Sequence, residues 1–153
     1  MARNSSAWHR HKYKLNALVL VLPLWFLYQS MTPEFPPAWP AQQLGEFNIV
    51  PMPLDLKPPY AHHDNYVKDF MLMFSGADTR TIRQAYMNIG PAALPLNELQ
   101  QSDEGILHGS RHAQHVHAIA PAALTADDKV WLTIQTWQGT TLTTYWSLPE
   151  QLL

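Results

Sequence analysis

Nineteen uncharged residues separate Lys14 from Glu34, and their centre, Ala17–Tyr28, is an unbroken apolar and aromatic run. As a helix that stretch rises roughly 28 Å, close to the ~30 Å of a bilayer's hydrocarbon core. Pro23 removes one backbone hydrogen bond, which membrane helices tolerate. Trp8 and Tyr13 flank one end and Trp25 and Tyr28 lie toward the other, as interfacial aromatics do. The rival reading is a cleaved secretory signal, since the segment has a basic start and a short apolar centre. Against it, Ser30 has Tyr28 two residues earlier, so the small-x-small cleavage pattern is missing. Residues 15–31 are therefore expected to form a transmembrane helix.

The pattern then changes twice. Eight of the thirteen prolines fall between Pro33 and Pro59, a composition that favours extended, semi-rigid polyproline II. Residues 32–60 are expected to form a stalk, with Phe47–Met52 as a first strand held to a sheet edge by Pro51. Beyond it the apolar positions alternate. In Tyr66–Phe74, Phe70, Leu72 and Phe74 share one face and Met71 and Met73 the other. Val130, Leu132 and Ile134 alternate with polar residues, as do Leu142, Trp146 and Leu148. Trp137-Gln138-Gly139 between them suits a three-residue hairpin loop that leaves both apolar sets facing one core. Asp78–Ile89 carries both periods: Ile82, Ala85, Tyr86 and Ile89 recur at helical spacing, while Arg83, Ala85, Met87 and Ile89 alternate. The surrounding strands tip that stretch toward strand. The fold class is mainly β, with one N-terminal transmembrane helix followed by a small antiparallel β-sandwich, immunoglobulin-like or cupredoxin-like, over residues 61–153.

Composition and charge sharpen this layout. Hydrophobic residues make up 46% of the 153, so a core is affordable, while charged residues are only 14%, well below about 25% for a typical soluble chain. Residues 1–14 hold Arg3, Arg10, Lys12 and Lys14 and no acid, whereas the chain from Met31 onward has six basic residues against twelve acidic ones. The positive flank predicts that residues 1–14 stay in the cytoplasm and the β domain lies outside, an arrangement that fits a single-pass protein of a bacterial inner membrane facing the periplasm. The acidic outer part has no basic stripe for phosphates, so nucleic acid is not an expected partner. The expected partners are the lipid bilayer and an integral membrane protein complex.

There is no cysteine, which excludes disulfides, thiolate nucleophiles and Cys-based metal sites. Six of the eight histidines lie in the outer part, four of them within ten residues: His108, His112, His115 and His117. Gly109-Ser110-Arg111 reads as a turn that would set His108 opposite His112. His115 and His117 are two apart on a strand, so their rings leave one face. His62 and His63 precede another strand and add candidate ligands. Imidazole suits copper and zinc alike; Met52, Met71 or Met73 would complete a copper site, and Asp64, Asp103 or Glu104 a zinc site. His9 and His11 belong with the basic flank. No nucleophile elbow, phosphate-cradling loop or dinucleotide fingerprint is present, and the chain is not expected to be an enzyme.

The basic N-terminus, single span, proline-containing stalk and terminal Lys129-Val-Trp-Leu-Thr-Ile…Gly139…Tyr145-Trp-Ser-Leu148 hairpin resemble the FixH-like single-span proteins. That resemblance implies a role in cytochrome oxidase assembly and copper handling, and it carries over no ligand. The sequence therefore predicts a membrane-anchored accessory protein that binds copper or zinc through His108, His112, His115, His117, His62 and His63. Its expected task is metal delivery to, or stabilisation of, a membrane transporter or respiratory complex. The alternative is a structural subunit without metal, docked through Trp131 and Trp137.

Overall fold

The computed structural model describes residues 7–110 and 113–153, with the side chains of residues 7–10 and 15–17 left aside. It divides into two units, residues 1–34 and 35–153. In the first, helix α1 spans Ala7–Met31 and contains Pro23. Its portion His11–Met31 is long and apolar enough to cross a bilayer. Leu18, Leu20, Leu22, Trp25 and Leu27 are all exposed around it, so the helix has no polar side to give to water. It stops where Thr32 precedes Pro33, since a residue before proline disfavours the helical region. Thr32 Oγ1 and Ser30 Oγ donate to the Tyr28 and Leu27 carbonyls at 3.0 and 2.8 Å, satisfying part of the open helix end.

The second unit is a β structure of nine strands among the described residues: β1 (Gln42–Leu44), β2 (Phe47–Pro53), β3 (Tyr60–His62), β4 (Asn65–Gly76), β5 (Ile82–Gly90), β6 (His108–Gly109), β7 (Ala113–Ala120), β8 (Lys129–Thr136) and β9 (Thr141–Ser147), with a short helix α2 (Leu96–Leu99) after β5. They join in one continuous sheet of order β1-β2-β4-β7-β5-β8-β9, with β3 added to β4 and β6 to β7. The alternation had pointed to a sandwich of two sheets. Instead the single sheet curls until its ends meet: the Gln42 side chain donates to the Tyr145 carbonyl at 2.7 Å and accepts from Thr144, and Trp146 Nε1 donates to the Pro40 carbonyl at 2.9 Å. Side chains, and not a backbone ladder, bridge the seam, so the barrel is nearly closed. Two-residue periodicity gives the inward face of either architecture, which is why the pattern could not separate them.

The inward face is the expected one. Phe70, Leu72 and Phe74 are buried with Val130, Leu132, Ile134 and Trp146, while Met73 is exposed. The β8–β9 hairpin pairs Val130 with Trp146 and Gln135 with Thr141. Gly139, at φ +85°, sits in the predicted three-residue loop. Asp78–Ile89 resolves into a capped turn, where Asp78 accepts from the Arg80 N–H at 3.0 Å, and then strand β5. Ala85 to Gly90 are buried on both faces of the sheet, which explains why two periodicities were present at once.

Within the proline-rich residues 32–60 the strand expected at Phe47–Met52 is β2, and β1 joins it in the sheet. Leu44, Phe47 and Ile49 lie in the core, and the Trp39 ring meets Phe70 edge-on at 5.4 Å. The prolines of β2 are accommodated by strand parity. Pro51 accepts from the Trp39 N–H at 2.8 Å on the side away from β4, so its missing N–H also falls on that side and costs the β2–β4 ladder nothing.

One inward position is not apolar. Lys68 precedes Phe70 on the core face of β4 and is 2% exposed. Its Nζ donates to Asp55 Oδ1 at 3.0 Å and to the carbonyls of Asp55 and Lys57 at 3.1 and 2.7 Å. All three ammonium protons are thus matched, as burial of a charge demands. The Lys68 stem fills one end of the barrel and its head ties down the loop over that end. We expect Lys68→Met, which keeps the stem and strips the donors, to lower unfolding stability by about 1–3 kcal/mol. A urea unfolding midpoint indistinguishable from the wild type would refute this.

Candidate metal centre

Strand parity decides what the outer face carries. Val116 and Ala118 of β7 are buried inward, so His115 and His117 project outward. In the β4–β7 register Asp69 stands opposite His117 and Met71 opposite His115. The His117 carbonyl accepts from the Gly105 N–H at 2.9 Å and the Asp69 carbonyl from the Leu54 N–H at 3.0 Å, each on the side away from the other strand. Asp69 and His117 are therefore a narrow, non-hydrogen-bonded pair, the kind whose side chains come closest. His117 Nδ1 lies 2.6 Å from Asp69 Oδ1, and His115 Nε2 lies 4.0 Å from the same oxygen.

Three further elements converge there. β5 and β7 are parallel neighbours joined at Asn88 and Ile119. Into the gap where they diverge the chain inserts residues 105–109: Met87 N–H donates to the Gly105 carbonyl and Leu107 N–H to the Ala85 carbonyl, both at 2.8 Å. Gly105 is at φ +84°, and a Cβ there would lie 3.1 Å from Ile119 Cδ1 and 3.2 Å from the Met87 carbonyl, so a side chain at this position would be both strained and crowded. This insertion fixes Glu104 and brings His108 opposite His115, with His115 Nδ1 3.3 Å from His108 Nε2. The β3–β4 turn supplies His62 and His63. Their Nδ1 atoms reach a single oxygen, Glu104 Oε1, at 2.7 and 2.8 Å, although Glu104 is only 5% exposed. The two clusters adjoin, since His62 stacks on His117 with centroids 5.0 Å apart.

The predicted ligands are thus drawn together with one revision. His62, His63, His108, His115 and His117 share one outer face. The expected opposition of His108 and His112 is replaced by His108 with His115, because Gly109 pairs with Gln114 and the turn lies further along. His112 lies outside the described residues. Glu104 joins the site, whereas Asp103 is exposed. Asp69 and Tyr60 were not singled out from the sequence. Asp69's outward parity was readable, but its alignment with His117 depends on a pairing between strands 48 residues apart. Tyr60 donates to Asp69 Oδ2 at 3.1 Å, and burial together with that carboxylate pushes its phenol up to about 12. Tyr60 accordingly stays a proton donor that holds Asp69 in place.

Among the described residues two groups of three satisfy the spacing a cation needs: His62, His63 and Glu104, and Asp69, His115 and His117, with the ligand atoms of each group within 4.8 Å of one another. The donors are imidazole and carboxylate, the set used by zinc, nickel and cupric copper. Burial, and then the neighbouring His117, lower the His115 pKa. That keeps the ring neutral, the form a metal requires. Burial alone would raise the Glu104 carboxyl, but the hydrogen bonds from His63 and His62 outweigh it and hold the group below the usual carboxylate range. The same bond raises the His63 imidazole.

The signs follow. His63 contributes stability that is complete below its unfolded pKa, about 6.5, and is lost as pH rises through its higher folded value. His115 acts oppositely, since its folded form resists protonation and stability falls as pH drops below about 6.5. Glu104 contributes above its unfolded value and loses that contribution as pH falls through its depressed one. In an NMR titration of the metal-free protein, His63 should titrate above a free histidine and His115 below it. Glu104→Gln should lower the His63 midpoint and leave His115 low. Identical midpoints for the two rings in the wild type would contradict this assignment.

No curated protein and no solved structure matches this chain. Its residues 7–149 match a protein-family description, and the chain belongs to that family, "Uncharacterised conserved protein UCP029505".

Proposed function

We propose that the β unit binds a transition metal ion, copper or zinc, through its outer histidine face, and that the chain serves as a membrane-anchored accessory protein. The observation that carries this reading is the meeting of five imidazoles and two carboxylates from four separate chain segments on one side of the sheet. Solvated surface histidines have no physical reason to collect in this way, because their like charges repel as they protonate. Helix α1 would hold the unit at a membrane, and the basic flank argues for an outward-facing domain on a bacterial inner membrane. The anchor would raise the effective concentration of the site near a membrane partner. Delivery of the ion to a transporter or respiratory complex, or stabilisation of that complex, is the task this layout suits, and the FixH-like layout is what favours a respiratory partner. In this reading the chain handles the ion and is not an enzyme.

A second reading, a structural subunit without metal, draws on the other side of the barrel. Trp137 is 66% exposed at the tip of the β8–β9 loop, and Tyr145 is 43% exposed beside Trp131. Exposed aromatics of this kind are common anchors of protein interfaces. Trp131 is less available, since its Nε1 donates to the Gly90 carbonyl at 3.0 Å.

The two readings separate by melting the full chain in detergent after chelator treatment. Added copper(I), copper(II) or zinc should stabilise the wild type increasingly with concentration, by about 2.7 kcal/mol at a hundredfold excess over Kd. The double variant His115→Ala with His117→Ala should show a clearly smaller rise than the wild type. If the wild type and the variant melt alike with every metal, the structural reading takes over.

A further inference from the structure

We infer that the outer face takes two borderline divalent cations such as zinc, one in each group of ligands, in adjoining centres. This rests on the metal-binding reading above and adds stoichiometry and site architecture to it.

The geometry separates the two centres. A ring nitrogen's lone pair lies in the plane of its ring. His62 and His117 stack with planes only 22° apart and centroids separated by 5.0 Å. Their lone pairs therefore run side by side and address two points, not one between the rings. Each ring already points at its own carboxylate: His62 Nδ1 at Glu104 Oε1, 2.7 Å away, and His117 Nδ1 at Asp69 Oδ1, 2.6 Å away. Each carboxylate has a second imidazole in reach, His63 at 2.8 Å and His115 at 4.0 Å. Neither group needs a ligand from the other.

The charge and the coordination number agree. Each centre offers two imidazoles and one carboxylate, three protein ligands to a cation that takes four. The fourth position is left to water or to an incoming ligand, the mark of a site that exchanges or acts on something and not of a closed structural one. Glu104 and Asp69 each offset one positive charge of their own ion, so two dications can sit near one another without a shared carboxylate. Tyr60 and Ser102 support the carboxylate residues from behind: the phenol donates to both Asp69 oxygens at 3.2 and 3.1 Å, and the Glu104 N–H donates to Ser102 Oγ at 3.1 Å. Such outer contacts orient metal ligands.

The test is equilibrium dialysis of the full chain in detergent against zinc, followed by metal analysis. Two zinc ions per chain are expected for the wild type. His63→Gln with Glu104→Gln should retain one, as should Asp69→Asn with His115→Gln, with circular dichroism of each metal-free variant checking that the sheet is intact. One zinc in the wild type overturns the two-centre inference and leaves the single-ion reading standing. No zinc overturns the inference, and the copper and zinc melting experiment then decides the broader reading on its own. Two ions retained by both variants would place the binding elsewhere and also overturn it. The wild-type stoichiometry is informative even if a variant fails to fold.

Discussion

The register between β4 and β7 is the constraint on which core and site both depend. Phe70 faces Val116 inward, and in the same ladder Asp69 faces His117 and Met71 faces His115 outward. Side chains alternate with a period of two, so a slip by one residue would turn Phe70 and Leu72 to solvent and drive His115 and His117 into an apolar interior. Burying two imidazoles without partners costs several kcal/mol, as does exposing two large apolar groups. The hydrophobic effect thus sets the positions of the histidines without contacting them. The core selects the register, and the register assembles the donors.

The connection from β5 to β7 turns that register into a three-dimensional site. Parallel neighbours need a crossover, and here the crossover carries α2 and then returns between the two strands. Its backbone bonds to β5 on one side and β7 on the other, so Glu104 and His108 are placed by ladder geometry as firmly as strand residues are. Gly105, the residue that permits the close approach, adjoins Glu104 in sequence. The buried carboxylate is in turn satisfied by the β3–β4 turn. Two loops that would otherwise move independently are joined through a pair of hydrogen bonds to one oxygen. A cation in that position would replace those bonds with stronger ones and leave the arrangement in place.

Local patterns in the sequence were sufficient for the parts of the fold that rest on local physics. The faces of β4, β8 and β9 and the Gly139 loop follow from alternation and from the need for a left-handed residue in a short hairpin. The shared face of His115 and His117 follows from parity alone. What could not be read locally is which strands become neighbours. Asp69 and Tyr60 join the site only through pairings among β3, β4 and β7, and His108 acquires His115 as its partner through the inserted segment. In the proline-rich stretch the strand at Phe47–Met52 was legible, whereas its neighbour β1 was not. Proline disfavours sheet interiors, yet Pro51 and Pro53 share a parity that turns their missing N–H groups away from β4, so the strand keeps its ladder. The choice between sandwich and rolled sheet rests on the Gln42, Thr144 and Trp146 contacts at the seam, which no periodicity encodes.

Position 63 is where the demands of the fold and of the site diverge. His63 begins the two-residue turn between β3 and β4 at φ +48°, a conformation that costs a residue with a Cβ about 1–2 kcal/mol. Glycine would remove that cost, and asparagine would reduce it. Histidine gains in return one hydrogen bond to Glu104, at a side chain that is 71% exposed, and water competes well for such a bond. Folding alone therefore favours another residue at this position. The conformation does, however, aim the ring back across the turn, so that two consecutive residues, which on a regular strand would face opposite ways, present their nitrogens to one carboxylate oxygen. The backbone outlier thus brings two imidazoles and a buried anion to one point, and under the proposed metal-binding function coordination of a cation would offset its cost.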